Sequence, residues 1–247
     1  MLFQTLDDKT ECIGVYADGK LFFENLPQDL THTWKITTVD TSKEIQSAWI
    51  YSGGKSLQEA APQDLLEKLE DSTRKLRAYL KAFKLAKVNL REHCFFDLVP
   101  KDFLEKYCET KNEISEHVFN KYQKPENYEH LLKVHTLLQK IRAQKLTTDT
   151  SDCKNLFLSS VHRKTMNNLL SGDNYIDYNL FGTVTGRLTT MPDSFPILTL
   201  KKDFRKIIKP KNDWFVSLDY NGAEVRTLLS LTGEEQPSSD IHDWNAL

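Results

Sequence analysis

The chain has 247 residues, of which 39% are hydrophobic and 28% charged, and a formal net charge of -2 at pH 7. These values exclude disordered and collagen-like proteins, and the length allows two ordinary domains or one large domain with an appendage. Because the N-terminus lacks a signal-peptide pattern and no run of about 18 apolar residues could cross a membrane, we expect a cytoplasmic protein.

Cysteine spacing supports the same conclusion. The four cysteines lie far apart, without CxxC or CxxH spacing: Cys12, Cys94, Cys108 and Cys153. This pattern argues against a structural zinc site and against a disulfide framework, and it suits a reducing compartment.

The first 54 residues predict short strands. Asp18-Gly19 lies between two β-rich runs and is a typical hairpin signal, and residues 31–39 and 47–54 continue in the same style. From Ser56 the spacing becomes helical, and Ser56-x-x-Glu59 is a capping box that would begin one long amphipathic helix. The apolar positions of this helix are Leu65, Leu69, Leu76, Leu80 and Phe83.

The middle of the chain predicts two helices joined by a short turn. Residues 101–123 repeat apolar side chains at steps of three and four, and Pro125 ends that helix before a second begins near residue 128. The predicted inward faces are Leu104, Tyr107, Ile114 and Val118, then Leu131, Val134, Leu138 and Ile141. Residues 143–152 are polar and predict a loop.

The last part of the chain mixes both patterns. Residues 161–170 predict a short helix, residues 174–188 alternate as a strand does, and residues 214–218 form an apolar run of strand length. The Asn221-Gly222 turn would then lead into a helix that turns Val225, Leu228 and Leu229 inward. The predicted class is α+β, with a small β-rich unit and long helix at 1–90, a helical region at 91–165 and an α/β part at 166–247.

Asp219 is the first candidate functional residue, because it follows the predicted strand at the edge where open α/β sheets bind ligands. A carboxylate there is a good ligand for Mg²⁺. Two simpler interpretations stay open: Asp219 could satisfy backbone donors at the helix start, and Asn221-x-x-Glu224 fits a capping box.

Two basic features follow different patterns. Thr183-Val-Thr185-Gly-Arg187 predicts a turn that fixes a guanidinium beside a strand end, where it could contact phosphates or base edges. A basic run between residues 201 and 211 could neutralise phosphates, although a solvated charged face explains it equally. Its members are Lys201, Lys202, Arg205, Lys206, Lys209 and Lys211.

Taken in order, these segments resemble the family A DNA polymerases. "TVTGRL" resembles the family's Thr-x-Thr-Gly-Arg-Leu segment, "SLDYNGAEVR" resembles its motif A, and "DIHDWNA" resembles the segment that opens the fingers. Residues 103–128 are similar to the thumb of bacteriophage members. The resemblance covers about residues 95–247 and implies a thumb-like region at 91–165 and a partial palm at 166–247. Residues 1–90 carry no Asp-x-Glu proofreading motif.

The resemblance implies template-directed DNA synthesis with Mg²⁺ as cofactor, and with primer-template DNA and deoxynucleoside triphosphates as partners. It assigns metal binding to the Asp219 carboxylate and the Tyr220 carbonyl, and support of motif A to Arg226. Glu224 would exclude a ribose 2′-OH, and His242 would contact the triphosphate. Arg187 would contact the primer end, and the other predicted DNA-binding residues are Thr185, Lys201, Lys202 and Arg205. Asn221-Gly222-Ala223 departs from the family's Ser-Gln-Ile, and "FPILTLKKDFR" departs from its Leu-Gln-Asn-Ile-Pro segment.

Nucleotidyl transfer by two metal ions needs a second carboxylate. The family supplies it from a His-Asp-Glu motif, and the one His-Asp pair here, His242-Asp243, belongs to the "DIHDWNA" segment. We therefore expect the N-terminal part of a split or truncated polymerase, which needs a complementary polypeptide and no membrane. The alternatives are a nucleic-acid-binding module without catalysis, an inactive remnant, and a nuclease using Asp173 and Asp177, whose spacing fits no metal site.

Overall fold

The structure, a computed structural model, describes residues 1–8, 11–39, 44–90, 93–171, 174–192 and 194–245. It is a mixed α+β fold, as predicted at that level. The chain divides into two compact units, Met1–Ile208 and Lys209–Leu247. The predicted boundaries after residues 90 and 165 both lie inside the first unit, so they stay predictions.

A five-stranded sheet opens the first unit, in the order β3-β2-β1-β4-β5. Its strands are β1 (Leu2–Asp8), β2 (Glu11–Ala17), β3 (Lys20–Phe22), β4 (His32–Thr33) and β5 (Gln46–Ser47). The first three pair antiparallel, whereas β4 runs parallel to both β1 and β5. The hairpin predicted at Asp18-Gly19 is confirmed, because β2 and β3 pair on either side of it with Ala17 opposite Lys20.

Helices occupy most of the chain between residues 48 and 142. They are α1 (Ala48–Tyr51), α2 (Leu57–Ala60), α3 (Gln63–Leu85), α4 (Phe95–Leu98), α5 (Lys101–Lys121) and α6 (Tyr128–Arg142). The strand predicted for residues 47–54 is therefore wrong over Ala48–Tyr51, which form helix α1. Tertiary packing explains the difference, because α1 buries Ala48 and Ile50 completely and packs against α5 and α6.

The capping box at Ser56 is present, but it begins only the four-residue helix α2. The Ser56 amide donates to the Glu59 carboxylate at 2.7 Å, and the Glu59 amide donates to the Ser56 hydroxyl at 3.3 Å. Pro62 then interrupts the helix, because a proline forces the residue before it, Ala61, into an extended conformation. The single long helix predicted from Ser56 is therefore wrong, and α3 starts at Gln63.

Helices α3 and α5 pack on the sheet through two core clusters. The first joins Trp34 and Ala48 to α3 and α5 side chains, and its members are Trp34, Ala48, Ala60, Leu65, Leu69, Ile114 and Val118. The second joins Leu6 and Tyr16 to Val99, Phe103, Leu104 and Cys108. The predicted inward positions of both helices are largely confirmed. Leu80 is the exception, since it is 41% exposed and Tyr79 packs against the second cluster instead.

Helix α6 forms where predicted, but of its four predicted inward residues only Leu138 is buried. Tyr128, His135 and Leu138 are buried, whereas Leu131, Val134 and Ile141 are half-buried. The Tyr128 hydroxyl accepts from the Ser47 amide at 2.8 Å and donates to the Ile45 carbonyl at 3.3 Å. Polar partners on the sheet therefore orient this helix, and the spacing of apolar residues does not reveal them.

The rest of the first unit has a core of its own. Its elements are β6 (Thr147–Thr148), a 3₁₀ helix (Ser151–Phe157), α7 (Ser160–Ser171), β7 (Tyr178–Asn179), β8 (Thr189–Thr190), α8 (Lys202–Arg205) and β9 (Ile208–Lys209). Helix α7 confirms the helix predicted at 161–170. The strand predicted over 174–188 is reduced to β7, which pairs antiparallel with β8. The core consists of Cys153, Met166, Leu169, Phe195, Leu200, Phe204 and Ile207.

The described residues of the second unit form two helices, α9 (Ala223–Thr232) and α10 (Ile241–Asn245). The strand predicted at 214–218 is wrong, because these residues form neither strand nor helix. A strand needs a partner to satisfy its backbone groups, and no described strand pairs with this segment. We call residues 214–220 the apolar segment; Trp214, Val216 and Leu218 in it are at least 80% exposed. Leu228, predicted to face inward, is 60% exposed.

All four cysteines are free thiols. Among the described residues, no helix combines the length and apolar character that crossing a bilayer requires.

Candidate nucleic-acid and metal site

Asp219 and Tyr220 lie at the end of the apolar segment, directly before the Asn221-Gly222 turn. Both side chains are exposed, Tyr220 by 83%. Within the described part of the chain, no hydrogen bond or ion pair reaches the Asp219 carboxylate. Helix α9 starts at Ala223 with Gly222 as its N-cap residue and without a side-chain cap bond. The Asp219 carboxylate is therefore not used to cap this helix, and it faces solvent.

Asn221 connects the turn to the last helix. Its side-chain amide donates to the Asp240 carboxylate, and its side-chain carbonyl accepts from the Ile241 amide at 2.8 Å. The capping box proposed for Asn221 and Glu224 is therefore wrong, because Asn221 satisfies the first amide of α10 instead. Glu224 lies exposed in the first turn of α9, where a carboxylate interacts favourably with the helix dipole.

Gly222 allows α9 and α10 to approach each other closely. Its φ is +63°, and a Cβ built there would fall 1.9 Å from Cγ2 of Ile241, a side chain that is 1% exposed. Any larger residue would have to displace α10. The Asn-Gly pair, which departs from the family's sequence at this point, therefore fits its own surroundings.

Arg226 fixes the backbone around this turn. Its guanidinium donates to three carbonyl oxygens: Nε to Asn221 at 2.7 Å, Nη1 to Pro237 at 2.9 Å and Nη2 to Ser239 at 3.1 Å. In return, the Gln236 side chain donates to the Arg226 carbonyl at 3.0 Å. These bonds fix the backbone carbonyl of Asn221, two residues after Asp219. The supporting role that the resemblance assigns to Arg226 stays a prediction.

His242 lies on α10, and its side chain is outside the described part of the structure. Its predicted contact with a triphosphate stays a prediction. Asp219, Tyr220, Glu224 and Arg226 are thus grouped around one turn of the second unit, whereas the other predicted residues belong to the first unit.

Residues 183–187 form the loop between β7 and β8, which we call the Arg187 loop. The Thr183 hydroxyl donates to the Arg187 carbonyl at 2.8 Å, and the Gly186 amide donates to the Thr183 carbonyl at 3.3 Å. The Thr185 hydroxyl lies 3.4 Å from that of Thr183. Thr185 and Arg187 are exposed, so a loop closed by its own bonds presents the guanidinium at the surface.

The basic run surrounds α8. Phe204 and Ile207 are buried in the local core, whereas Lys201, Lys202, Arg205 and Lys206 are exposed. The Arg205 Nε donates to the Leu200 carbonyl at 3.0 Å. Apolar and basic side chains therefore take opposite sides of this short element. Such a surface can contact phosphates, and a solvated charged face would look the same.

A cluster that the sequence did not predict lies around Trp49. The Lys35 ammonium is 4.4 Å from the Trp49 ring centroid, and the His135 ring is 5.2 Å from it. Burial lowers the pKa of Lys35, with a further contribution from the Arg142 charge. Burial also lowers the pKa of His135 to about 4. No spacing rule could reveal this cluster, because its members come from a loop, a short helix and α6.

The nuclease alternative gains no support. Asp173 lies outside the described residues, and the Asp177 carboxylate is 3.4 Å from the Arg142 guanidinium, so it serves an ion pair. No group of three or more His, Cys, Asp or Glu side chains in the described residues could hold a metal ion.

Comparison with protein-family models, with curated proteins and with solved structures found no match. The function must therefore be inferred from the residues themselves.

Proposed function

We propose that this chain is the N-terminal part of a family A DNA-directed DNA polymerase and contributes one metal-binding carboxylate and primer-template contacts to DNA synthesis. The observation that carries the proposal is the setting of Asp219, an exposed carboxylate beside a turn fixed by the three Arg226 bonds. All three nitrogens of the Arg226 guanidinium bond to backbone carbonyls, including that of Asn221, two residues after Asp219. Fixed surroundings of this kind suit a carboxylate that must hold a metal ion in one position.

The residues present fit part of a magnesium site. Mg²⁺ commonly takes one or two protein carboxylates together with substrate phosphates and water. The Asp219 carboxylate and the Tyr220 carbonyl would be this chain's ligands. When bound, the metal would stabilise the charge that develops on the reacting phosphate. The second carboxylate would come from residues outside this sequence, whether on the same polypeptide or on another.

The remaining residues would bind and orient the substrates. Glu224, which lies in the first turn of α9, would limit the space next to the sugar of the incoming nucleotide. Arg187 and Thr185 would contact the primer end, and the exposed cations at Lys201, Lys202 and Arg205 would contact backbone phosphates. Each of these side chains is exposed, so none requires a rearrangement of the core to reach a ligand.

The apolar segment supports a complementary polypeptide. Large apolar surfaces are exposed to water at Trp214, Phe215, Val216 and Leu218, which belong to neither a helix nor a strand. Contiguous exposed apolar surface of this kind is typical of an interaction site. The strands that would complete the palm are the partner that we propose for it.

Primer extension by a reconstituted pair tests the proposal. The chain is mixed with a polypeptide that carries Arg-x-x-x-Lys, Tyr-Gly and His-Asp-Glu segments, together with primer-template, Mg²⁺ and the four deoxynucleoside triphosphates. We expect extension that Asp219→Asn lowers by about 100-fold or more, because even substitutions outside the ligand shell cost roughly 10–100-fold. Asp213→Asn, which changes another exposed carboxylate of the same unit, should leave the rate unchanged.

The exposed cations around α8 favour one second candidate, a nucleic-acid-binding module without catalysis. Such a module would bind primer-template with a strong salt dependence, and Asp219→Asn would not matter in any assay. Absence of extension together with intact binding would favour this candidate, and absence of both would indicate an inactive remnant.

A further inference from the structure

The Arg187 loop is linked through the Phe181 side chain to residues 1–54, which contain the five-stranded sheet and α1 and which we call the N-terminal sheet region. Phe181, which lies two residues before the loop, packs edge-to-face on Trp49 with ring centroids 5.0 Å apart. Trp49 belongs to α1, which directly follows the last strand of the sheet. Edge-to-face geometry is specific in angle as well as distance, so the contact restricts how the Phe181 ring can lie.

Gly54 forms the second side of the Phe181 site. Its φ is +82°, and a Cβ built on it would fall 2.1 Å from Cδ2 and 2.5 Å from Cγ of Phe181. The ring therefore lies directly on the Gly54 backbone. Gly53 provides a natural comparison, because it also has a positive φ, +66°, but a Cβ there would meet nothing within 4 Å.

Trp49 is itself held from two further directions. The Lys35 ammonium lies over its ring, and the His135 ring of α6 packs at 5.2 Å. A tryptophan contacted by a loop, by α6 and by Phe181 has little freedom to turn. The surface that receives Phe181 is therefore a fixed one.

The rest of the hairpin transmits this fixed position to the loop. Leu180 is buried, the Phe181 amide donates to the Asn179 side chain at 3.0 Å, and the Met191 amide donates to the Asp177 carbonyl at 2.9 Å. The loop then closes through Thr183 and Gly186 up to Arg187. A continuous chain of short-range contacts thus runs from Trp49 to the base of Arg187.

We propose that Phe181, seated between Trp49 and Gly54, is a positioning residue for Arg187, so that the N-terminal sheet region sets the geometry of the DNA-contacting loop. The proposal gives residues 1–54 a role that no motif in them indicates. The identity of the ligand, primer-template DNA, rests on the proposed function. The claim that Phe181 holds the Arg187 loop in one conformation does not.

Trypsin cleavage measures the order of the loop without DNA. Arg187 is exposed and followed by Leu188, so the 187–188 bond is a substrate whenever the loop opens. We expect Gly54→Ala to speed cleavage at this bond roughly tenfold. The displaced Phe181 ring loses its edge-to-face contact with Trp49, and a loss of that size makes opening of the loop about tenfold more frequent. Gly53→Ala carries the same backbone change without the collision and should cleave nearly as the wild type does.

Phe181→Leu and Phe181→Tyr give a second comparison that leaves the backbone untouched. Leu removes the ring and should raise the cleavage rate as Gly54→Ala does, whereas Tyr keeps the ring and should restore protection. Equal cleavage in Gly54→Ala, Gly53→Ala, Phe181→Leu and wild type would overturn the proposal, whatever the protein binds.

Binding of a fluorescent primer-template then tests the link to Arg187. We expect Gly54→Ala and Arg187→Ala each to weaken binding about tenfold, and the double variant to be no weaker than Arg187→Ala alone, since both act through one contact. Losses that multiply in the double variant would overturn positioning through Arg187. A wild type that shows no salt-dependent binding would instead contradict the proposed function, and the cleavage rates would still decide the order of the loop.

Discussion

His135 stays neutral inside the first unit because its surroundings disfavour a charge. The side chain is 2% exposed, and its Nε2 lies 2.9 Å from the Ile36 carbonyl, to which it must donate. Burial is the largest cause of its lowered pKa, and the Lys35 and Arg142 charges lower it further, while the Ile36 bond and Asp177 act in the opposite direction. The balance leaves a buried imidazole that resists protonation.

We predict that this histidine makes the fold sensitive to acid. Its pKa falls from 6.5 to about 4 on folding, so as pH drops below 6.5 the unfolded chain takes up the proton first. Stability that is fully present above about pH 6.5 is lost progressively down to pH 4, and the histidine accounts for ~3 kcal/mol of that loss. Urea unfolding at pH 7, 5.5 and 4 measures the change.

His135→Gln keeps a donor for the Ile36 carbonyl but cannot ionise in this range, so its stability should fall less between pH 7 and pH 4. His130→Gln is the matched control, because His130 is exposed on the same helix. If the two variants lose equal stability on acidification, the buried imidazole is not the acid-sensitive group.

The helices of the second unit depend on one close approach. Gly222 and Gly233 flank α9, and both have a left-handed φ, +63° and +76°. Only Gly222 is in contact, since a Cβ there would overlap Ile241, whereas a Cβ at Gly233 would meet nothing within 4 Å. Backbone strain and packing can therefore be separated by experiment.

We predict that Gly233→Ala costs about 1 kcal/mol from strain alone and that Gly222→Ala costs a further 1–3 kcal/mol or so from overpacking. Hydrogen exchange of the α10 amides is the suitable measurement. The Ile241 and Trp244 amides, bonded to Asn221 and Asp240, should exchange faster in Gly222→Ala than in Gly233→Ala. Equal rates in both variants would show that α10 does not pack on Gly222.

Element type could be predicted wherever a local pattern is sufficient. The Asp18-Gly19 hairpin and helices α5, α6 and α7 follow from turn chemistry and apolar spacing, both of which are local. The errors fall where distant partners decide. Residues 48–51 are apolar and β-prone but become helical because α5 and α6 surround them, and residues 214–218 have strand composition without a strand to pair with.

The sequence predicted only part of the candidate site, again because local motifs can be recognised in a sequence and distant contacts cannot. The sequence pointed to Asp219, Arg226 and Arg187 by motif, and their exposure or bonding is compatible with the roles expected. It could not indicate that Asn221 bonds to α10, or that Phe181 contacts Trp49, because both contacts join residues far apart in the chain. Local sequence patterns indicate which side chains are candidates for a function, whereas tertiary contacts determine their positions.

At the scale of the whole molecule, the apolar segment combines several consecutive large exposed side chains with irregular backbone. Residues 211–220 form no helix or strand. Leu85 offers an internal comparison, because it is 74% exposed but ends helix α3. Proteases need an extended, accessible backbone, so these two places should differ in susceptibility.

We predict that limited chymotrypsin digestion cuts first within residues 214–220 and leaves the first unit whole. Cleavage there should be about tenfold faster or more than after Leu85, because helical backbone must unfold locally before it is cut. Mass spectrometry of the early fragments identifies the sites. An initial cut inside α3, α5 or α6 would contradict the division of the chain into these two units.

The hydrogen bond between Ser47 and Tyr128 joins residues 81 positions apart, and this affects the newly made protein. During translation the sheet emerges from the ribosome well before α5 and α6, which cover Trp34 and Ala48. In a nascent chain of some hundred residues, the apolar side chains that α5 and α6 later cover are still exposed to water. We therefore expect chaperones that bind emerging polypeptides to bind this chain.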